Sequence, residues 1–225
     1  MSKPVRLLLT SSGFTGDAKN QFSRLLDGAS KDHPNGSKRV VYIPDAATAE
    51  GMGPDGMYGR MQRELCSAGA SDVTLLPLAN ADEASVYNAL EGAACVYVEM
   101  GNTYFVTYQA RRSGFDKLVT KFCRERGMLF SGASAGAILA GRTIKVCFWK
   151  GWDDPGYGQS WDLTKTPHGY DGLNLMANGE SLFPHYSNQW AGRVKEMKPK
   201  HEEEVVILDE YHCFVQDESG GRLMS

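Results

Sequence analysis

The chain has 225 residues, with 24 lysines and arginines against 27 aspartates and glutamates, and a formal net charge of −3. This near balance argues against the basic surfaces that bind nucleic acid or anionic membranes, so neither is expected as a partner. The apolar run VRLLLT (5–10) is too short to cross a bilayer. Five cysteines, an odd number without a CxxC pair, indicate a reduced chain in the cytoplasm.

Short apolar runs alternate with helical patterns from the N-terminus to Gly141. The intervening segments carry apolar residues at helical spacing. Strands that are apolar throughout and separated by helices indicate a parallel sheet covered on both faces. The prediction is an α/β fold with a three-layer, doubly wound, mostly parallel sheet. Its five predicted strands are 5–10, 39–44, 72–78, 94–100 and 127–132.

The pattern changes after Gly141. The segment TIKVCFW (143–149) is predicted to be a further strand, and 150–172, rich in Gly, Asp, Pro and aromatic residues, a long loop. The end of the chain, 203–225, is predicted to form two or three short strands joined by turns. Since no low-complexity linker and no internal repeat interrupts the sequence, residues 1–225 are interpreted as a single domain.

The stretch GASAG (132–136) matches the G-x-S-x-G pattern of a nucleophile elbow, in which a serine lies on a sharp turn between a strand and a helix. Small residues are needed two positions before and after the serine, because backbone approaches backbone there. Ser134 would then project above the sheet beside the positive end of the following helix. The alternative is a tight strand-to-helix corner with an incidental serine.

A serine nucleophile needs a base. His185, in SLFPHYSNQW, is the leading candidate because it follows an apolar segment and Pro184 at the end of a strand. His168, in the Gly-rich loop, is an alternative. Of the remaining histidines, His33 lies in a polar turn and His212 in a terminal strand pattern. His201 begins an acidic run that is expected at the surface.

The remaining parts of such a site are an orienting carboxylate and two N–H donors for an oxyanion. GWDDPG supplies Asp153 and Asp154, although aspartates before proline are also ordinary in turns. Ala135 offers a backbone N–H at a helix start, and Gly101, in EMGNT, has no Cβ to obstruct a substrate carbonyl. Ligands of open α/β sheets bind at the carboxyl ends of strands. The segments that contain Gly101 and Ala135 both begin at such strand ends.

Taken together, VVYIPDAA, GNTYFVTYQARRSGFD, SGASAGAI and FPHY resemble the peptidase E family of serine peptidases, which includes α-aspartyl dipeptidases and, more distantly, cyanophycinases. The resemblance covers most of the chain. It implies a sheet of the flavodoxin-like, class I glutamine-amidotransferase type. It also implies Ser134 as nucleophile, His185 as base, Gly101 and Ala135 as oxyanion donors, and Asp153, in the family's Asp-x-Pro segment, as the third catalytic residue.

The resemblance further implies hydrolysis of short peptides, as a dipeptidase with a preference for N-terminal Asp, through an acyl-enzyme. Asn102 of the Gly-Asn-Thr segment is expected to contact substrate. Asp154 and Glu180 are alternatives to Asp153, since some relatives use Glu. The protein is expected to be a monomer or homodimer without metal or cofactor. GMGPDG (51–56) matches GxGxxG only formally, because it contains Pro54 and begins several residues after its strand.

Two positions depart from the family pattern. Glu99 and Met100 precede Gly101, where the family commonly has two or three glycines, and this predicts a carboxylate near the mouth of the site. Ile138 replaces an Asn that some aspartyl dipeptidases carry, which weakens the case for a preference for Asp.

The sequence is also compatible with two other functions. An esterase of the α/β-hydrolase fold has the same order Ser, Asp, His, but the chain has no HGGG-type oxyanion segment and about forty residues follow His185. A catalytically inactive homologue could retain the elbow as scaffold and bind a small molecule or a partner.

Overall fold

The computed structural model describes residues 3–52, 54–166 and 168–225. The strands, in chain order, are β1 Arg6–Thr10, β2 Arg39–Ile43, β3 Asp72–Leu75, β4 Cys95–Val98, β5 Leu129–Ala133, β6 Ser181–Phe183, β7 Val205–Ile207, β8 Cys213–Asp217 and β9 Gly220–Met224. The α-helices are α1 Ala18–Asp32, α2 Asp45–Thr48, α3 Pro54–Ser67, α4 Glu83–Glu91, α5 Thr103–Arg112, α6 Phe115–Arg126, α7 Ala135–Leu139 and α8 Ala191–Met197.

Seven strands form one sheet in the order β3-β2-β4-β5-β1-β8-β9. The first five in that order run parallel, and β8 and β9 extend the sheet in antiparallel register beyond β1. A second, small parallel sheet pairs β6 with β7. The sequence-based prediction of a mostly parallel sheet with short C-terminal strands is confirmed.

The inner strands of the main sheet are buried on both faces, as expected for strands that are mostly apolar. Leu7 and Leu9 of β1 pack in a core cluster that includes Phe122 of α6. Leu8, on the opposite face, packs in a second cluster with Phe22 of α1. Helices therefore cover the sheet on both sides and make the three layers that the sequence predicts.

Helix α1 illustrates why these segments become helices. Its buried residues Phe22, Leu25, Leu26 and Ala29 recur at spacings of three and four, which aligns them on one face. No helix in the described part of the chain is both long and apolar enough to span a membrane.

The prediction of a strand over 143–149 is wrong. Lys145–Trp149 form a 3₁₀ helix, whose Val146 and Trp149 pack with Phe183 in a third core cluster beneath the long loop. The apolar run is thus buried by a helical turn instead of by a sheet. The segment 51–56, interpreted as a loop, contains the start of α3 at Pro54, while residue 53 lies outside the described residues.

Candidate active site

Ser134 occupies the turn between β5 and α7, with φ 46° and ψ −104°, a backbone conformation that residues other than glycine rarely adopt. Its N–H donates to the Thr10 carbonyl at 2.9 Å. A Cβ atom on Gly132 would lie 2.4 Å from the Gly136 carbonyl carbon, and one on Gly136 only 2.2 Å from the Val98 oxygen. The two glycines of the motif are therefore required by backbone contact.

His185 joins the serine to a carboxylate. Its Nε2 lies 2.8 Å from Ser134 Oγ, and its Nδ1 lies 2.5 Å from Glu210 Oε1. With the proton on Nδ1 donated to the carboxylate, Nε2 is left to accept the proton of the serine hydroxyl. His185 follows β6 with φ 54°. The arrangement has the contacts of a Ser-His-carboxylate triad.

The carboxylate beside the imidazole is Glu210, not Asp153 as the sequence predicts. Asp153 Oδ2 instead accepts the backbone N–H of Thr103 at 2.8 Å. Burial raises the pKa of Asp153, and the hydrogen bond from the Thr103 N–H together with the positive charge of Lys150 offsets part of that effect. Asp153 thus lies in the neighbourhood of the site and secures the start of α5.

The two alternative carboxylates also serve local structure. Asp154 Oδ1 accepts the N–H of Gly156 at 2.9 Å within its own turn. Glu180 Oε1 accepts the side-chain N–H of Asn178 at 3.1 Å. Glu210 was missed because it lies in the turn LDEYH between two short terminal strands. The structure brings it to the histidine because this turn follows β7, the strand that pairs with β6, and His185 follows β6.

Glu210 is held by the segment that follows β1. Ser12 Oγ donates to Glu210 Oε2 at 2.5 Å, and Thr15 Oγ1 donates to the Glu210 carbonyl at 2.8 Å. Burial raises the pKa of Glu210, but the hydrogen bonds from Ser12 and His185 outweigh it, so this pKa lies below its ordinary value. The side chain is therefore a carboxylate at neutral pH.

Ser11 connects the histidine and glutamate segments. It is 1% exposed, accepts the backbone N–H of His185 at 2.9 Å, and donates to the Asp209 carbonyl at 2.8 Å. The end of β1 thus positions both partners of the imidazole contact.

The predicted oxyanion donors lie past neighbouring strands. Val98 of β4 is paired with Gly132 of β5, and Gly101 and Ala135 each follow three residues later. Ala135 is the first residue of α7, so its N–H has no intrahelical acceptor. Gly101 has φ 133°, and a Cβ there would lie 2.2 Å from the Ala46 carbonyl oxygen. The glycine is needed for packing against α2, in addition to any role toward substrate.

Asn102 differs from its predicted role. It is 2% exposed, its Oδ1 accepts the N–H of Phe105 at 2.9 Å as the N-cap of α5, and its Nδ2 donates to the Asp154 carbonyl at 2.9 Å. Both ends of the amide are thus used to hold the loop onto the helix. Contact between this side chain and substrate stays a prediction.

Glu99 does not reach the mouth of the site. It is fully buried, with Oε2 accepting the Tyr42 hydroxyl at 2.9 Å and Oε1 accepting the Met100 N–H at 3.1 Å. Tyr42 packs in the cluster between the sheet and α1. Burial raises the pKa of Glu99. The prediction of a carboxylate facing substrate is therefore wrong, because the alternation along β4 turns this side chain to the other face.

The remaining histidines are separate from the serine. His168, the alternative base, has a 69% exposed side chain, 3.7 Å from Asp171. His201 is not at the surface as predicted: its side chain is 8% exposed, with Nδ1 3.3 Å from Glu203 and Nε2 accepting the Trp149 indole N–H at 3.1 Å.

Ser134 and His185 border a small pocket of about 30 Å³. Its polar lining residues include Thr103, Lys150 and Asp153, and its apolar wall includes Phe183. The Thr103 hydroxyl is buried and has no hydrogen-bond partner among the described residues. The pocket adjoins the nucleophile, as expected of a cavity for the side chain of a bound residue.

The chain matches the model of Peptidase family S51 over residues 7–222. It is 30% identical over 154 residues to an uncharacterised peptidase from Listeria monocytogenes serovar 1/2a, a match covering 67% of each chain. An uncharacterised peptidase from Pasteurella multocida is 26% identical over 152 residues, covering 68% of this chain and 67% of the relative.

Two solved structures share the fold. A candidate peptidase E protein from Listeria monocytogenes EGD-e superimposes with a TM-score of 0.70 at 23% identity, covering 100% of this chain and 98% of the other. A peptidase from an acI-B1 Actinobacterium gives a TM-score of 0.69 at 16% identity, covering 99% and 88%. Membership of this family sets aside the α/β-hydrolase esterase. Because the family match extends over nearly the whole sequence, the chain belongs to Peptidase family S51 and is a peptidase.

Proposed function

We propose that this protein is a serine-type dipeptidase that cleaves short peptides through Ser134, His185 and Glu210. The observation that carries the proposal is the pair of contacts made by one imidazole, 2.8 Å to the serine hydroxyl and 2.5 Å to the glutamate carboxylate. The strained backbone of Ser134 gives further support, since such strain is common at functional sites.

In the proposed mechanism, His185 Nε2 removes the proton of Ser134 Oγ as that oxygen attacks the carbonyl carbon of the first residue of the peptide. The N–H groups of Gly101 and Ala135 stabilise the resulting oxyanion. The imidazolium then gives its proton to the departing amine as the C–N bond breaks. Water, deprotonated by the same imidazole, hydrolyses the acyl-enzyme and restores the serine.

Glu210 fixes the orientation of His185 and stabilises the imidazolium that forms in each half-reaction. Its lowered pKa favours this role, because the group must be charged at neutral pH to oppose the positive charge on the ring. Ser12 occupies the second carboxylate oxygen, which restricts rotation of the carboxylate away from the ring.

The pocket beside Ser134 supports a substrate whose first residue is small and acidic, hence a preference for N-terminal Asp. Its small volume, about 30 Å³, favours a short side chain over a large one, and the Thr103 hydroxyl and Lys150 ammonium are donors in its lining. Both would complement a carboxylate.

Hydrolysis of a dipeptide panel that varies the first residue among Asp, Asn, Ala and Phe tests this proposal. The expected order of kcat/KM places Asp first and Phe last. Labelling of Ser134 by a fluorophosphonate tests the nucleophile directly, with Ser134→Ala as the control that takes no label. A native protein that neither reacts with the probe nor cleaves any dipeptide would instead support the inactive, ligand-binding homologue.

A further inference from the structure

Lys150 places a partly buried cation against the residue that precedes the histidine. Its ammonium donates to the carbonyl of Pro184, the residue that precedes His185. The nitrogen lies 4.4 Å from the ring centroids of Trp152 and Phe183 and 5.6 Å from that of Trp190. Cation–π attraction to several rings restricts the ammonium to this position.

The carbonyl that Lys150 holds belongs to a strained stretch of backbone. His185 has φ 54°, a conformation disfavoured for a non-glycine residue. Its own N–H is fixed by Ser11 and the following N–H, of Tyr186, by the Leu208 carbonyl. The Pro184 carbonyl and the His185 N–H belong to one peptide group, so Lys150 and Ser11 restrain that group at its two ends.

The same ammonium faces the negative groups of the site. Glu210 comes from the turn after β7 and Asp153 from the long loop, and both raise the pKa of Lys150. The Cys147 thiol of the 3₁₀ helix also lines the pocket, but burial raises its pKa and keeps it uncharged at neutral pH. Burial of Lys150 has the larger, opposite effect and lowers its pKa to about 8. The group is consequently charged at neutral pH and loses its charge in mildly alkaline solution. Asp153, Cys147 and His185 are the other titratable residues that line the pocket with it.

We infer that Lys150 is a positioning residue for catalysis: its ammonium fixes the backbone that aims His185 at Ser134 and supplies the positive charge facing Glu210. The inference rests on the proposed peptidase mechanism but assigns a residue outside the triad. Loss of the ammonium would let the Pro184 carbonyl turn and would displace the imidazole, and a displacement of about 1 Å can cost about a hundredfold in rate.

The test compares Lys150→Met, Lys150→Arg and a matched control, Lys195→Met, which removes the same charge from an exposed position on α8. Hydrolysis of a neutral Ala-containing dipeptide and labelling by a fluorophosphonate are measured from pH 6 to 10. Neither probe carries an acidic side chain, so recognition of a side-chain carboxylate does not enter. Thermal unfolding checks that each variant is folded.

We expect Lys150→Met to lower kcat by about ten- to a hundredfold with a smaller change in KM, and to slow labelling to a similar degree. Activity of the native protein should fall as pH rises through about 8, whereas Lys150→Met should stay at its low level across that range. Lys150→Arg retains its charge and should keep activity beyond pH 9.

If native protein is active but Lys150→Met matches Lys195→Met in both kcat and pH profile, the inference is overturned. If Lys150→Met does not fold, the arginine variant decides: an alkaline fall at the same pH in native protein and Lys150→Arg overturns it equally. Absence of labelling and hydrolysis in native protein contradicts the proposed function itself, which is a distinct result.

Discussion

The hydroxyl of Ser11 accepts the backbone N–H of His185 at 2.9 Å, although 174 residues separate them in the chain. The same hydroxyl donates to the carbonyl of Asp209, next to Glu210. One buried side chain at the end of β1 thus sets the distance between the base and its carboxylate. The first strand of the sheet takes part in the site without contributing a reacting group.

Replacing Ser11 with Ala should lower both stability and activity. The substitution leaves the buried N–H of His185 without its acceptor, a loss of about 1–3 kcal/mol in the free energy of unfolding. The imidazole should also move, reducing kcat about tenfold with little change in KM. Urea unfolding and steady-state kinetics measure the two effects. Ser67→Ala, at an exposed position on α3, should change neither; equal behaviour of the two variants would contradict the role of Ser11.

Glu210→Gln tests whether Glu210, the carboxylate beside His185, or Asp153, the carboxylate predicted from the sequence, is the third catalytic residue. The amide keeps the size of the side chain but removes the negative charge that opposes the imidazolium, so kcat should fall about a thousandfold or more. Asp153→Asn should cost less, because that carboxylate contacts the Thr103 N–H and not the imidazole. Measuring kcat for both variants on one substrate decides the matter, and a larger loss in Asp153→Asn would reverse the assignment.

Gly136→Ala should disrupt folding of the elbow. Its added methyl group would meet the Val98 carbonyl oxygen at 2.2 Å, and that oxygen belongs to a central strand that cannot move away. We expect a loss of several kcal/mol, about 3 or more, or failure to accumulate as soluble protein. Gly192→Ala is the matched control, since nothing lies within 4 Å of its added Cβ in α8 and alanine favours a helix. Comparable thermal midpoints for the two variants would refute this account of the motif.

The central sheet could be predicted from the sequence because its inner strands are buried on both faces and are therefore apolar along most of their length. The nucleophile could be predicted for a related reason. Gly132 and Gly136 must be glycine because their backbones contact each other or, for Gly136, the neighbouring strand β4. The need for glycine on either side of Ser134 is therefore visible as a local motif.

Glu210 could not be found in the same way. Its position against His185 depends on the contact between the turn after β7 and the segment after β1. No residue spacing within either segment indicates that contact. The 3₁₀ helix at Lys145–Trp149 was missed because its apolar residues, including Val146, satisfy a strand pattern equally well. Only the cluster beneath the long loop determines which conformation buries them.

A buried network around Glu203 should make stability depend on acid. Glu203 Oε1 accepts hydrogen bonds from Ser181 Oγ at 2.6 Å and Thr143 Oγ1 at 2.8 Å and lies 3.3 Å from His201 Nδ1. Burial raises the pKa of Glu203, but these hydrogen bonds prevail and lower it from 4.5 to about 2. A carboxylate whose pKa is lower in the folded state stabilises the fold above its unfolded value, and that contribution is lost as pH falls through the folded value.

The free energy of unfolding of native protein should therefore decrease as pH is lowered from about 4.5 towards 2. Glu203→Gln should be less stable at neutral pH and should show a shallower decrease over that interval, because the titrating group is gone. Glu202→Gln changes the exposed neighbour and should keep the slope of native protein. Urea unfolding at a series of pH values measures all three slopes. Identical slopes for native protein and Glu203→Gln would mean that the network around Ser181 and Thr143 does not hold Glu203 in its charged form.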